Sequence, residues 1–486
     1  MSPTSTISLS LISHTNVGKT TLARTLLRRD IGEVRDAAHV TESADAFVLA
    51  STPQGDELRL WDTPGFGDSA RLLKRLRQSG NALGWFLTKV WDRWMDRPFF
   101  SSQQALRNVR DEADVVLYLV NAGEDPVAAG YVDAEMEILG WVARPVIVLL
   151  NQLGPPRPAE LEAVDVARWS AHLARYRWVR DTIAFDAFAR CWVQEHVLLD
   201  RIGAVLPPEA QSSWSRLADV WRARNREVFE QSMQILAGHL ATTAADNAEV
   251  PLASATSTVR NWIGGMLRSG EPRGDAATTA ATDALALRLD AEVRRATDEL
   301  IALHGLSGRA AAEVQQRMGS QVAVDKAADP TKASVLGAAV TGALGGLAAD
   351  LAAGGLTFGA GALIGGLLGA AGARGLASAY NLARGSDATT ARWSGEFLTG
   401  RVRAAVLRYL AVAHFGRGRG DFVASEYPAH WGPLVDAAIT ARRDQLDAIW
   451  SAAERGDPAV ALEPRLRSSL EAMTAGVLER LYPSSA

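Results

Sequence analysis

The chain has 486 residues, 48% of them hydrophobic and 22% charged. That is enough for about two to four globular domains and too apolar for a mostly disordered protein. With 51 basic against 55 acidic residues the net charge is −4, so the whole chain carries no electrostatic signal for nucleic-acid binding, and none is expected; the single cysteine, Cys191, excludes an internal disulfide or a cysteine metal cluster.

Along the chain, residues 7–12 form an apolar run that predicts a first strand. Residues 20–27 then set Leu22, Leu26 and Leu27 on one helical face. Residues 46–50 and 57–61 predict an antiparallel hairpin about the turn Thr52-Pro53-Gln54-Gly55. The near-continuous apolar runs at 115–120 and 146–150 predict central strands covered on both faces, and 182–185 a weaker last strand. This alternation predicts an α/β domain with a mainly parallel sheet over 1–195. Residues 66–112 read as a helical insertion of two or three helices. It holds Trp85, Phe86, Trp91, Trp94, Phe99 and Phe100, and the stretch from Trp85 to Trp94 fits a core better than a partner surface. From Ala187 onward the pattern is helical. A helical domain is predicted at 196–330, with a strong helix over 280–317. A Gly/Ala-rich helical hairpin follows at 331–386, and a C-terminal helical segment at 387–486 whose helices run from about Ala391 to Tyr482. No secretory signal is read at the N-terminus, and a cytoplasmic location is expected.

Between the predicted first strand and helix lies Ser13-His14-Thr15-Asn16-Val17-Gly18-Lys19-Thr20, followed by Thr21. In a phosphate loop, backbone N–H groups cradle phosphates, the lysine reaches the β and γ phosphates, and the hydroxyl binds Mg²⁺. Gly18, Lys19 and Thr20 match that pattern; Ser13 stands where its first glycine would be. The fold class expected is an α/β P-loop NTPase (G-domain-like) N-terminal domain followed by a mainly α-helical C-terminal region. His14 reads as a solvent-facing loop side chain, with a phosphate contact as the alternative. Asp62-Thr63-Pro64-Gly65 closes a predicted strand, where an aspartate can hold Mg²⁺ through water and a glycine N–H can sense the γ-phosphate.

Thr20-Thr21, then Thr41, then Asp62-Thr63-Pro64-Gly65 resemble the translation-factor class of P-loop GTPases. Asn16-Val17-Gly18-Lys19-Thr20 is similar to the loop of its Era and TrmE-like branch. The whole chain resembles bacterial proteins that join such a domain to a C-terminal region of unknown function. The resemblance implies GTP and Mg²⁺ as ligands. Lys19 would bind the β and γ phosphates, Thr20, Thr41 and Asp62 would serve Mg²⁺, and Thr41 and Gly65 would act as the switch residues. Asn16 would help coordinate K⁺ in potassium-stimulated members, the alternative being an asparagine that satisfies loop backbone. Phe66 stands where Ras-like enzymes carry a water-orienting glutamine, which implies slow turnover and help from another group or a nucleotide-dependent dimer. For base recognition the family expects N-K-x-D. Here Asn151 is kept, Gln152 replaces the lysine and Gly154 the aspartate, with Glu160 or Asp186 as candidate substitutes.

Residues 351–373 carry no formal charge and are long enough to span a bilayer, but are rich in Gly and Ala. Small residues at four-residue spacing let helices pack closely. Residues 335–373 therefore read either as a hairpin that enters or docks on the inner-membrane surface, or as a tightly packed hairpin within a helical bundle. The function expected is a slow switch-type GTPase whose nucleotide state controls the helical region. The alternatives are a degenerate nucleotide-gated interaction protein and a P-loop NTPase not selective for guanine.

Overall fold

The computed structural model describes residues 5–28, 45–77, 97–154, 156–187, 191–250, 276–306, 380–381, 389–414 and 428–483. The chain forms two compact units. The first is Met1–Val228 with Ala413–Val423 and Leu481–Ala486; the second is Phe229–Val412 with Ala424–Arg480.

The first unit is built on a six-stranded sheet: β1 (Thr6–Ser13), β2 (Asp45–Ser51), β3 (Glu57–Asp62), β4 (Val115–Asn121), β5 (Val146–Asn151) and β6 (Val179–Ala184). The order is β2-β3-β1-β4-β5-β6. Only the β2–β3 hairpin is antiparallel; the other four pairings are parallel. The central strands are buried along nearly their whole length, and successive residues alternate between the two faces of the sheet. Val115, Leu117 and Leu119 pack with α1 (Lys19–Leu27) side chains, whereas Val116, Tyr118 and Val120 pack on the opposite face. That second face is covered by α2 (Ser69–Leu76), α3 (Arg97–Asp111), α4 (Gly130–Val142) and α5 (Ala159–Leu173). Within 66–112 the described residues form α2 and α3, with Phe99 fully buried; Trp85, Phe86, Trp91 and Trp94 lie outside the described residues. Cys191 caps α6 (Trp192–Val205) in a capping box with Gln194, and is buried.

The turn of the hairpin is anchored by charge. Asp56 is fully buried and takes both arms of Arg216, at 2.8 and 3.0 Å, from α7 (Gln211–Ala245). It also accepts from Thr52 Oγ1 at 2.9 Å. The Arg216 guanidinium holds its carboxyl well below the usual carboxylate range. A depressed carboxylate stabilises the fold above its unfolded value near 3.8 and loses that contribution as pH falls through the folded one. Asp56→Asn is therefore expected to melt well below the wild type at pH 7. The gap should narrow steadily from pH 4 to pH 2; a gap that ignores pH would assign the effect to shape alone.

In the second unit, α8 (Ala276–Leu303) stops short of the residue 317 expected from composition. Gly305 takes φ 63°, Leu306 N bonds Ile301 O at 3.0 Å and Gly305 N bonds Ala302 O at 2.9 Å, a left-handed glycine stop. The region is mainly helical, as expected, and also holds a short sheet. Here β7 (Asn247–Val250), β8 (Tyr380–Asn381) and β9 (Thr389–Arg392) form an antiparallel sheet with β9 in the middle. The C-terminal helices begin at Gly395, not Ala391, as α9 (Gly395–His414), α10 (Trp431–Thr440), α11 (Arg443–Glu454) and α12 (Ala459–Leu481). Leu462, Leu466 and Leu470 form a buried stripe on α12, and Trp450 of α11 donates to Thr399 Oγ1 at 3.0 Å. Among the described residues no helix is long and apolar enough to cross a membrane; the Gly/Ala-rich 335–373 falls outside them.

Candidate nucleotide site

The site lies at the carboxyl ends of β1, β3, β4 and β5, where parallel strands hand over to helices. β1 ends at Ser13 and α1 opens at Lys19, with the turn between them held by two left-handed residues, Asn16 (φ 65°) and Gly18 (φ 100°). Gly18 is required twice over. A Cβ there would stand 2.7 Å from Asn151 Nδ2 in a backbone region that L side chains avoid. No side chain caps α1, which leaves the amides of its first turn for an anion.

Lys19 is buried and folds back on the loop, donating to Ser13 Oγ at 2.8 Å and to His14 O at 3.3 Å. Ser13, placed where a glycine was expected, thus supplies an acceptor for the lysine. Burial pulls the ammonium down to about 8, while Asp62 and Glu135 act to raise it. Thr20 Oγ1 donates to Asp62 Oδ2 at 2.7 Å. The other oxygen, Oδ1, is buried with no hydrogen-bond partner. Burial pushes the Asp62 carboxyl up to about 6, against the Thr20 hydrogen bond and the Lys19 charge. An orphaned acceptor beside a threonine hydroxyl fits a hard divalent cation such as Mg²⁺.

Gly65 lies against the loop: a Cβ on it would come 3.0 Å from Lys19 Nζ and 3.0 Å from Thr15 Cα. Phe66 N bonds Ser13 O at 2.9 Å, and the Phe66 side chain is fully buried. Of the loop residues, Val17 and Thr21 are buried, Asn16 is exposed, and Thr41 lies outside the described residues.

The base end is organised by Asn151. Its Nδ2 donates to Val17 O at 2.6 Å and its Oδ1 accepts from Ala187 N at 2.8 Å, tying three loops together. Gln152 takes φ 57° and sets Nε2 3.4 Å from Asn16 O. Gly154 also has positive φ, and nothing lies within 4 Å of where its Cβ would be. Beside this gap stands Asp186, 3% exposed, whose Oδ2 accepts from Leu153 N at 2.7 Å. Burial raises the nearby Glu162 carboxyl, and Asp186 adds to that shift.

His14 differs from its expected solvent-facing pose. Its ring packs on Tyr131 with centroids 4.5 Å apart, and its Nδ1 lies 2.8 Å from Glu135 Oε1. The fully buried Glu135 also accepts from Ser69 Oγ at 2.5 Å and Tyr118 OH at 2.6 Å. Sequence reasoning passed over Glu135. Its signal is an acid on the apolar stripe Val132, Met136 and Leu139 of α4, where a buried charge demands partners.

Residues 8–152 match the family described as 50S ribosome-binding GTPase. Residues 172–475, more than half of the chain, match the family described as domain of unknown function DUF3482. Among solved structures, Era in complex with MgGDPNP and a segment of 16S ribosomal RNA is 18% identical. It aligns over 42% of this chain and 58% of that one, with TM-score 0.32. A variant of Aquifex aeolicus Era bound to GDP and aluminium fluoride is 17% identical over 48% of this chain and 67% of that one, TM-score 0.32. NFeoB from S. thermophilus bound to mGMPPNP is 14% identical over 60% of this chain and 87% of that one, TM-score 0.24. This chain thus spans less than two thirds of the first of these structures. No curated protein matches. The chain belongs to the DUF3482 family and carries a P-loop GTPase domain at its N-terminus, the fusion expected from its sequence.

Proposed function

We propose that this DUF3482-family chain binds GTP with Mg²⁺ at the phosphate loop, hydrolyses it slowly, and uses its loading state to control the helical region. The observation that carries the reading is the buried pair of contacts at the mouth of the loop: Lys19 on Ser13, and Thr20 on an aspartate whose second oxygen is unfilled. Lys19 exchanges Ser13 for the β and γ phosphates as the triphosphate enters. Thr20 and Asp62 hold Mg²⁺, with Thr41 as its third proposed partner. Bound there, the cation would neutralise charge on the transferring phosphoryl group. The Gly65 N–H would meet the γ-phosphate, and the lack of a side chain lets this turn lie against Lys19 and Thr15. Exposed Asn16 offers its amide to K⁺ beside the phosphates. Fully buried Phe66 cannot orient water, which favours slow turnover and equally supports a second reading, a nucleotide-gated interaction protein with little hydrolysis. A nucleotide-dependent dimer and a membrane surface at 335–373 are the partners proposed beyond guanine nucleotide.

Base choice rests on Asp186. Its carboxylate, which already accepts from Leu153 N, is the proposed substitute acceptor for the N–H groups of a guanine edge. Losing that charge-assisted contact costs about 1.5–3 kcal/mol, roughly ten- to a hundredfold in affinity. Equilibrium binding of labelled GTP, ATP and XTP with Mg²⁺, in KCl and in NaCl, tests the reading. GTP should bind at least tenfold tighter than ATP, and Asp186→Asn should weaken GTP by that ten- to hundredfold while improving XTP relative to it. Equal binding of GTP and ATP would sink guanine selectivity, and no binding at all would sink the reading. GTP hydrolysis rates measured alongside in KCl and NaCl test the cation, and equal rates would remove K⁺.

A further inference from the structure

We propose that Glu135 is a positioning residue that couples the phosphate loop to the segment following Gly65, through one buried carboxylate oxygen shared by His14 and Ser69. The inference rests on nucleotide binding as proposed above and concerns what that binding moves. Glu135 belongs to neither segment. It projects from α4, is fully buried, and its Oε1 lies 2.8 Å from His14 Nδ1 and 2.5 Å from Ser69 Oγ. Its Oε2 takes the hydroxyl of Tyr118, at 2.6 Å, from β4. With three donors on two oxygens the carboxylate is fully engaged, and both α4 and β4 are framework elements of the sheet layer.

The two ends of this bridge are the places where a triphosphate would act. His14 is the second residue of the phosphate loop, and its backbone is already paired in parallel with Phe66. Ser69 is the first residue of α2, four positions after Gly65, and α2 is capped by Asp68, which accepts from Arg71 N at 3.0 Å. Gly67 N in turn donates to Ser102 Oγ of α3 at 3.2 Å. The segment from Gly65 to Ser69 is therefore pinned at its start to the loop backbone and at its end to Glu135. A shift of Gly65 toward a γ-phosphate has to be taken up within four residues or passed to α2. Glu135 decides which, because it fixes the entry of α2 relative to His14. A purely structural acid would stabilise the unit without favouring a triphosphate over a diphosphate. A coupling acid changes the ratio of the two affinities.

The test measures binding of GDP and of a non-hydrolysable GTP analogue to the full chain and to Ser69→Ala and Glu135→Gln, with thermal melts alongside. Ser69→Ala removes only the arm on the α2 side. It should leave GDP affinity within about threefold of wild type and lower the analogue-to-GDP preference by about three- to tenfold. Glu135→Gln, which sets an amide donor against one of three donors, should lower that preference further, and Glu135→Asp should restore part of it. A wild type that binds neither nucleotide overturns the nucleotide reading and the coupling together. A wild type that binds both, with Ser69→Ala folded and its preference unchanged, overturns the coupling alone. Loss of both affinities in step with a lower melting temperature does the same, since it marks Glu135 as structural only.

Discussion

Lys19→Ala is expected to lower the affinity for a Mg²⁺-loaded triphosphate by about two to three orders of magnitude, and to remove one limb of its pH dependence. The ammonium is buried, and its protein contacts are a serine hydroxyl and a carbonyl, both neutral. Exchanging them for two phosphate oxygens makes two charge-assisted contacts, worth together about 3–4 kcal/mol. In the nucleotide-free protein, burial brings Lys19 down to about 8. Phosphates beside it raise that value, so above pH 8 the complex holds a proton that the free protein has lost. Binding then takes up a proton, and affinity falls by up to about tenfold per pH unit. Wild-type binding measured from pH 7 to pH 10 should decline along this limb, whereas Lys19→Ala should be weak and flat. A variant that declines in parallel with the wild type would mean that another group titrates. A variant that binds within threefold of wild type would mean that the lysine does not reach the phosphates.

The parts of this site that short stretches of sequence encode were legible before any coordinates. Gly18-Lys19-Thr20 between an apolar run and an amphipathic helix, and Asp62-Thr63-Pro64-Gly65 at a strand end, depend on neighbours within a few residues. The apolar runs at 115–120 and 146–150 suit strands covered on both sides, and the structure covers them. What stayed hidden depends on pairing across the chain. Glu135 meets His14 over 121 residues and Ser69 over 66. Asp186 reaches Leu153 over 33. β7 and β9 pair across more than a hundred residues, and β9 is only four residues long, so no local period announces it. The same holds for His14: a histidine in a polar loop reads as solvated until a buried acid is known to stand opposite it. Ser13 looked like damage to a glycine motif and instead gives the resting lysine an acceptor. In both cases the residue type was plain, and the missing knowledge was what faced it.

Asp62→Asn carries the second large expectation, and its two effects run in opposite directions. The variant should bind triphosphate with little benefit from Mg²⁺, losing at least tenfold of the Mg²⁺-dependent gain, because the anionic oxygen proposed to hold the cation is gone. It should also be more stable than the wild type without nucleotide. Burial pushes the folded Asp62 carboxyl up to about 6 from an unfolded value near 3.8. Between those values the folded protein holds more protons than the unfolded one, so stability falls as pH rises through this window and stays lower at neutral pH. A shift of about two units corresponds to roughly 3 kcal/mol, from which the new amide, facing a site with no acceptor, takes back about 1 kcal/mol. The net gain of about 2 kcal/mol should raise the melting temperature at pH 7.5 by several degrees. At pH 4, where the folded wild-type carboxyl is protonated, that gain should vanish and the variant should melt no higher than the wild type. Mg²⁺ with nucleotide should reverse the order at neutral pH by stabilising only the wild type. Melting curves at the two pH values, with and without Mg²⁺-GTP, measure all of this in one set. A nucleotide-free variant less stable than wild type at pH 7.5 would show that the carboxylate serves the fold. With the opposite result, Asp62 is kept at a cost to the fold for the cation it receives.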